Sequence, residues 1–192
     1  MSTVQQAKLF YLIGPSGSGK DSLLDVVRSQ LVGQLPLLIA HRYITRAASS
    51  QGENHIALSE ADFLQRQHGG LFAMHWQANG LHYGLGCEVN SWLEKGFSVL
   101  VNGSRAQLAL AQQTFAERLQ VIVIDVSAEI LTQRLLARGR ESKEQISARL
   151  LRNEQLQKQL SSSFWRLDNS GLLQQSADKL NAYLRQQVKA SE

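Results

Sequence analysis

Leu9-Phe10-Tyr11-Leu12-Ile13-Gly14-Pro15-Ser16-Gly17-Ser18-Gly19-Lys20-Asp21-Ser22 decides the fold. Five apolar, β-prone residues run into a glycine-rich turn, and a helical pattern opens on the lysine. That order of strand, glycine turn and helix start places successive backbone N–H groups and a helix N-terminus around a polyphosphate, while Lys20 reaches its outer phosphates as a point charge. Gly14, Pro15, Ser16, Gly17, Ser18, Gly19, Lys20, Asp21 and Ser22 are therefore the expected phosphate-binding residues. One position departs from the phosphate-loop pattern. A serine or threonine that holds Mg²⁺ normally follows the lysine; here Asp21 takes that slot and Ser22 comes one place later.

Asp21 has two readings. A carboxylate in a first helical turn is favoured by the helix dipole by roughly 0.3–1 kcal/mol. Next to a triphosphate it would be repelled unless a cation lay between them, which makes Asp21 the candidate metal ligand.

Working outward, β-rich apolar runs alternate with helical periodicity, so the fold class is α/β, with a mainly parallel sheet covered by helices. Strands are predicted at Leu9–Ile13, Leu37–Tyr43, Phe97–Asn102, Leu119–Val126 and Phe164–Leu167, five in all. Helices are predicted at Asp21–Leu31, Ser59–Gln67, Glu88–Glu94, Arg105–Phe115, Ala128–Arg138, Glu144–Ser161 and Leu172–Val188. Ser59 with Asp62 three residues on is an acidic variant of the capping box. From Thr45 to Cys87 the pattern breaks into short segments rich in Gly, His and Asn, which reads as a small inserted lobe.

At 192 residues the chain suits one domain, spanning 1–192. Its net charge of +4 suits an anionic ligand, but aromatics are only 7% and no block of consecutive Lys/Arg appears, so no nucleic-acid footprint is expected. The lone Cys87 excludes an intramolecular disulfide, which points to a cytoplasmic chain. The polar N-terminus and short apolar runs predict neither a signal peptide nor a membrane span. His41, His68, His75 and His82 lack metal-ligand spacing.

Thr45-Arg46, Gly52-Glu53, Tyr83-Gly84 and the set Arg134, Arg138, Gly139 and Arg149 resemble the guanylate kinases in order and spacing over nearly the whole chain. The resemblance implies a P-loop kinase with an acceptor-binding lobe at about 45–87 and a short lid at about 138–147. ATP is then the phosphoryl donor and Mg²⁺ its cation, and Lys20, Arg134, Arg138 and Arg149 are the catalytic cations. Taken without it, arginines at i and i+4 on a helix are most often solvated surface. Phosphoryl transfer supplies the other reading, because it runs on positioning and charge stabilisation.

Departures from that family bear on the acceptor. Where guanylate kinases place a carboxylate and a small hydroxyl residue to read guanine, the equivalents here are Met74 and Leu85, which cannot hydrogen-bond a base. Phosphate-binding candidates remain: Arg46, His55 in a position usually held by tyrosine, Tyr83, and Arg42 as substitute for a second arginine whose offset falls on Ser49. Asn102, Ser104 and Arg105 follow a buried strand at the ligand edge of an open α/β sheet, where they touch acceptor or phosphate. Asp168-Asn169 either borders the adenine or forms a turn, and Trp76, Trp92 and Trp165 read as packing.

Gly19-Lys20-Asp21-Ser22, Ala40-His41-Arg42-Tyr43-Ile44-Thr45-Arg46, Glu53-Asn54-His55-Ile56-Ala57-Leu58-Ser59 and Val101-Asn102-Gly103-Ser104-Arg105-Ala106 are similar to the ribose 1,5-bisphosphate phosphokinase branch, associated with phosphonate utilisation. That likeness implies an ATP-dependent kinase with a small sugar phosphate as partner. A nucleoside monophosphate kinase with unusual base recognition and a catalytically silent binding module are the alternatives. The intact lysine and arginines speak against silence.

Overall fold

The computed structural model describes residues 6–47, 55–139 and 142–188. In chain order the strands are β1 (Leu9–Ile13), β2 (Leu37–Ala40), β3 (Arg42–Ile44), β4 (Ile56–Ala57), β5 (Phe72–Ala78), β6 (Leu81–Gly86), β7 (Ser98–Asn102), β8 (Leu119–Asp125) and β9 (Trp165–Asp168). The helices are α1 (Lys20–Leu31), α2 (Glu60–His68), α3 (Glu88–Glu94), α4 (Leu108–Phe115), α5 (Ala128–Arg138), α6 (Lys143–Lys158) and α7 (Leu173–Gln187).

Five strands form one sheet in the order β2-β7-β1-β8-β9, and every pairing in it is parallel. The apolar runs require this. All residues of β1 and β7 are buried, as expected of strands covered on both faces. Side chains alternate between two cores. Leu9, Tyr11 and Ile13 join Val99, Val101, Val121 and Val123 against Val89 and Leu93 of α3 and Ala111 of α4. Phe10 and Leu12 join Leu100, Ile122 and Ile124 against Leu23, Val27, Leu180 and Leu184 of α1 and α7.

The single strand expected over Leu37–Tyr43 is corrected to two. The chain leaves the main sheet after Ala40, and Arg42–Ile44 enters a second sheet ordered β4-β3-β6-β5. This second sheet is the inserted lobe. Of its strands, β4, β5 and β6 were not expected, although Asn79-Gly80 between the alternating Met74-His75-Trp76-Gln77-Ala78 and Leu81 is a hairpin signal: both turn residues have positive φ, 51° and 72°. α2 covers one face of the lobe, with fully buried Phe63 stacked on Phe72 at 4.6 Å. Its expected N-terminus holds, since Ser59 Oγ accepts from the Asp62 amide at 3.1 Å and donates to the Asp62 carboxylate at 2.6 Å.

The helix expected to start at Arg105 opens as a 3₁₀ turn, Arg105–Gln107, before α4. α5 stops at Gly139, whose φ of 63° is left-handed. α6 begins with a capping box between Ser142 and Gln145, so the connection between the two helices is short. Among the described residues no helix is long and apolar enough to cross a membrane.

Candidate active site

All the main-sheet strands point their C-terminal ends at one edge, where the loops after β1, β2, β7, β8 and β9 meet. The loop after β1 is shaped by its glycines. Gly17 and Gly19 have φ of 91° and 85°, and a Cβ on Gly19 would lie 2.6 Å from Asn169 Nδ2. Lys20 folds back over this loop: its ammonium donates to the carbonyls of Gly14 and Pro15 at 3.0 and 3.1 Å and to Ser18 Oγ at 3.5 Å. No side chain caps α1, so no side-chain cap competes with an anion for its first-turn amides.

Asn169, buried just beyond β9, fastens this loop. Its backbone amide donates to the Asp125 carbonyl at 2.8 Å and its Nδ2 to the Ser18 carbonyl at 2.7 Å. Arg134 donates to the Asn169 carbonyl at 2.8 Å and to the Ser18 carbonyl at 3.5 Å. Arg134 therefore braces the phosphate loop from α5 while lining the cleft beside it. That cleft, of about 310 Å³, lies between Gly17, Gly19, Ser22, Arg134, Arg138 and Asn169, with Ala137 and Leu173 as apolar walls. Of the two readings for Asp168-Asn169, Asp168 takes the turn: its carboxylate accepts from the Ser170 amide at 2.9 Å and the Ser170 hydroxyl, which hold it below the usual carboxylate range.

The structure brings Arg134 and Arg138 to the phosphate loop, half-buried and exposed respectively. Arg149 is half-buried on α6, outside that cleft's lining, one turn along from Ile146, which packs on Leu131 and Leu135 of α5.

On the lobe, Met74 and Leu85 are a directly opposed cross-strand pair at 3% and 2% exposure. Trp76 and Tyr83, also opposed, stack at 5.4 Å with planes 6° apart, and the Arg42 guanidinium lies 5.4 Å over the Tyr83 ring. Arg46 is exposed just past β3, and buried His55 donates from Nε2 to its carbonyl at 3.0 Å. His55 thus ties the chain just before β4 to the chain just past β3. Ser49, Gly52, Glu53 and Asn54, like Arg140 and Glu141 in the segment expected to form a lid, lie outside the described residues.

At the end of β7, Asn102 turns to the phosphate loop and donates to Asp21 Oδ1 at 2.8 Å. Gly103 lies flat on the Tyr11 ring, and the Tyr11 hydroxyl accepts from the Ser104 amide at 2.9 Å and donates to its carbonyl at 3.2 Å. Burial raises the Tyr11 phenol, so it stays a neutral bracket for this turn. Arg105 donates to Asn153 Oδ1 on α6. Burial, with Arg152 nearby, pushes Arg105 down to about 10, which leaves it charged at neutral pH. Farther along α6, Gln157 donates to Asp125 Oδ1, and Arg166 grips the same carboxylate at 2.8 and 3.0 Å.

Tyr11 and Asn153 were absent from the sequence expectations. Tyr11 reads as one more apolar residue of a strand, and Asn153 as solvated helix surface. Only its spacing of four from Arg149 places both on one helix face.

No family model matches the chain. A guanylate kinase from Anaplasma phagocytophilum superposes with a TM-score of 0.69 over 97% of this chain and 89% of that one, at 18% identity, which establishes the fold. Ribose 1,5-bisphosphate phosphokinase PhnN of Pectobacterium parmentieri is 52% identical over 178 residues, 92% of this chain and 93% of that protein. The protein of the same name from Yersinia pestis is 49% identical over 93% of this chain and 91% of its own length. With about half of all residues shared across nine-tenths of both chains, on a guanylate kinase fold, this chain belongs to the ribose 1,5-bisphosphate phosphokinase family.

Proposed function

We propose that the protein transfers the γ-phosphoryl group of ATP to the 1-phosphate of ribose 1,5-bisphosphate, forming 5-phosphoribosyl 1-diphosphate and ADP. The observation that carries this reading is the lobe next to the phosphate loop: where a base reader is expected, the buried Met74–Leu85 pair offers no hydrogen bond, while Arg42, Arg46 and Tyr83 remain for phosphate. Family membership supports the same substrate.

The acceptor is a phosphate, largely dianionic at neutral pH, so no general base is needed. The difficulty is two anions that repel. In this reading Lys20 exchanges its loop carbonyls for the outer phosphates, Arg138 and Arg149 neutralise charge as the phosphoryl group moves, and Arg134 keeps the loop in shape. The adenine end of ATP takes the cleft under α5. Arg42, over the Tyr83 ring, and Arg46 just past the same strand present guanidinium groups to an acceptor phosphate. His55 acts by holding the backbone of Arg46. Arg105 secures α6 at the acceptor edge.

A hard divalent cation fits the donors present. Asp21 and Ser22 would hold Mg²⁺, which when bound offsets charge on the transferred and leaving phosphates.

The test is a panel assay of ATP consumption with ribose 1,5-bisphosphate, GMP and other nucleoside monophosphates, with product identification. Turnover of the sugar bisphosphate orders of magnitude above GMP is expected. Efficient GMP turnover without activity on the sugar would overturn the reading.

A further inference from the structure

Gln157 stands two turns after Arg149 and one turn after Asn153, all three on a single face of α6. Its Nε2 donates to Asp125 Oδ1, and the same carboxylate is gripped by Arg166, through Nε at 2.8 Å and Nη2 at 3.0 Å. The Gln157 amide oxygen is buried and has no donor among the described residues. Turning the amide over would set that oxygen against the carboxylate, so the charge on Asp125 fixes the orientation and leaves the oxygen unpaired. A buried acceptor without a donor lowers stability. Asp125 itself does not need the contact, because Arg166 reaches both of its oxygens. The chain therefore carries an amide where an apolar side chain of the same length would leave no polar atom unpaired.

The partner explains the amide. Asp125 closes β8, and its carbonyl accepts from the amide of Asn169, whose side chain holds the Ser18 carbonyl of the phosphate loop. One residue thus secures the loop's brace with its backbone and α6 with its carboxylate. Arg149 lies about 12 Å along the helix axis from Gln157, so a tilt at the anchored end displaces its guanidinium. We propose that Gln157 is a positioning residue for phosphoryl transfer: hooked on Asp125, it sets the lie of α6 so that Arg149 meets the transferred group over the loop. Stability is given up for geometry. This rests on the reading of Arg149 as a cation over the moving phosphoryl group.

The experiment compares the full wild-type chain with Gln157→Met, which keeps side-chain length and helix propensity and removes the polar atoms. Steady-state kinetics with ATP and ribose 1,5-bisphosphate should show kcat about tenfold lower and the KM for ATP unchanged, with a melting temperature equal to or above wild type. In an Arg149→Ala background the same substitution should cost no further rate. A purely structural tie behaves differently: it lowers the melting temperature and costs the same factor in both backgrounds. Either of those results overturns the proposal, as does a wild-type kcat in Gln157→Met. One further readout needs no acceptor. Spin labels on the exposed Cys87 and on Ala148→Cys report the distance from the start of α3 to the turn of α6 that carries Arg149. Gln157→Met should broaden that distance distribution, and an unchanged distribution overturns the proposal. A broadened distribution in a chain that leaves ribose 1,5-bisphosphate untouched sinks the proposed function alone.

Discussion

Arg134 and Arg138, one turn apart on the same helix, do different work. Arg134 is committed to the carbonyls of Ser18 and Asn169, whereas Arg138 is exposed at the cleft. Arg134→Ala should therefore weaken ATP binding and lower the melting temperature, while Arg138→Ala should lower kcat by on the order of 10³ with little change in either. Steady-state kinetics with a thermal melt separates the two, and identical profiles would refute the division. Gly19 is a second point of leverage. Alanine there meets a left-handed φ that costs about 1–2 kcal/mol and a Cβ contact at 2.6 Å with Asn169. Gly19→Ala should lose ATP affinity in a binding titration although it removes no phosphate ligand. The glycine pattern made the loop legible in the sequence. That Asn169 is its brace was not legible, because the two meet only through the pairing of β8 and β9.

α6 is tied to the main sheet at two points of one face, Asn153 to Arg105 and Gln157 to Asp125, with Arg149 one turn before the first tie. The helix is largely exposed elsewhere, so these ties and Ile146 set its placement. Asn153→Ala should reduce kcat about tenfold with the KM for ATP nearly unchanged, and removing the partner of a half-buried guanidinium should cost about 1–3 kcal/mol in a denaturant titration. Asn153→Asp should restore the rate, since a carboxylate accepts the same hydrogen bond; an alanine variant with wild-type kcat would show that the tie does not position Arg149. Elements with strong periodicity were readable from the sequence: α3 and α5 fall at their expected bounds. The strand through His41 was not, because an unbroken β-prone run gives no sign that its halves join different sheets.

The two sheets differ in how much they bury. β1 is paired on both sides and fully buried, while β4 is a two-residue, exposed edge of the lobe. Hydrogen exchange should accordingly show β1 amides opening only with global unfolding and the Ile56 and Ala57 amides opening locally; equal protection in both would contradict a lobe that yields independently of the sheet. From sequence came the phosphate loop, the alternation of strand and helix that forces a covered parallel sheet, the presence of a lobe and the arginines worth watching, because each is written in neighbouring residues or in a short period. The tertiary structure alone decided that Arg134 is spent on bracing the loop while Arg138 is exposed at the cleft, that Asn102 belongs to Asp21, and that Arg105 is bound to α6. These pairs lie 81 and 48 residues apart along the chain, and no local pattern encodes a hydrogen bond that exists only after the strands have stacked in the order β2-β7-β1-β8-β9.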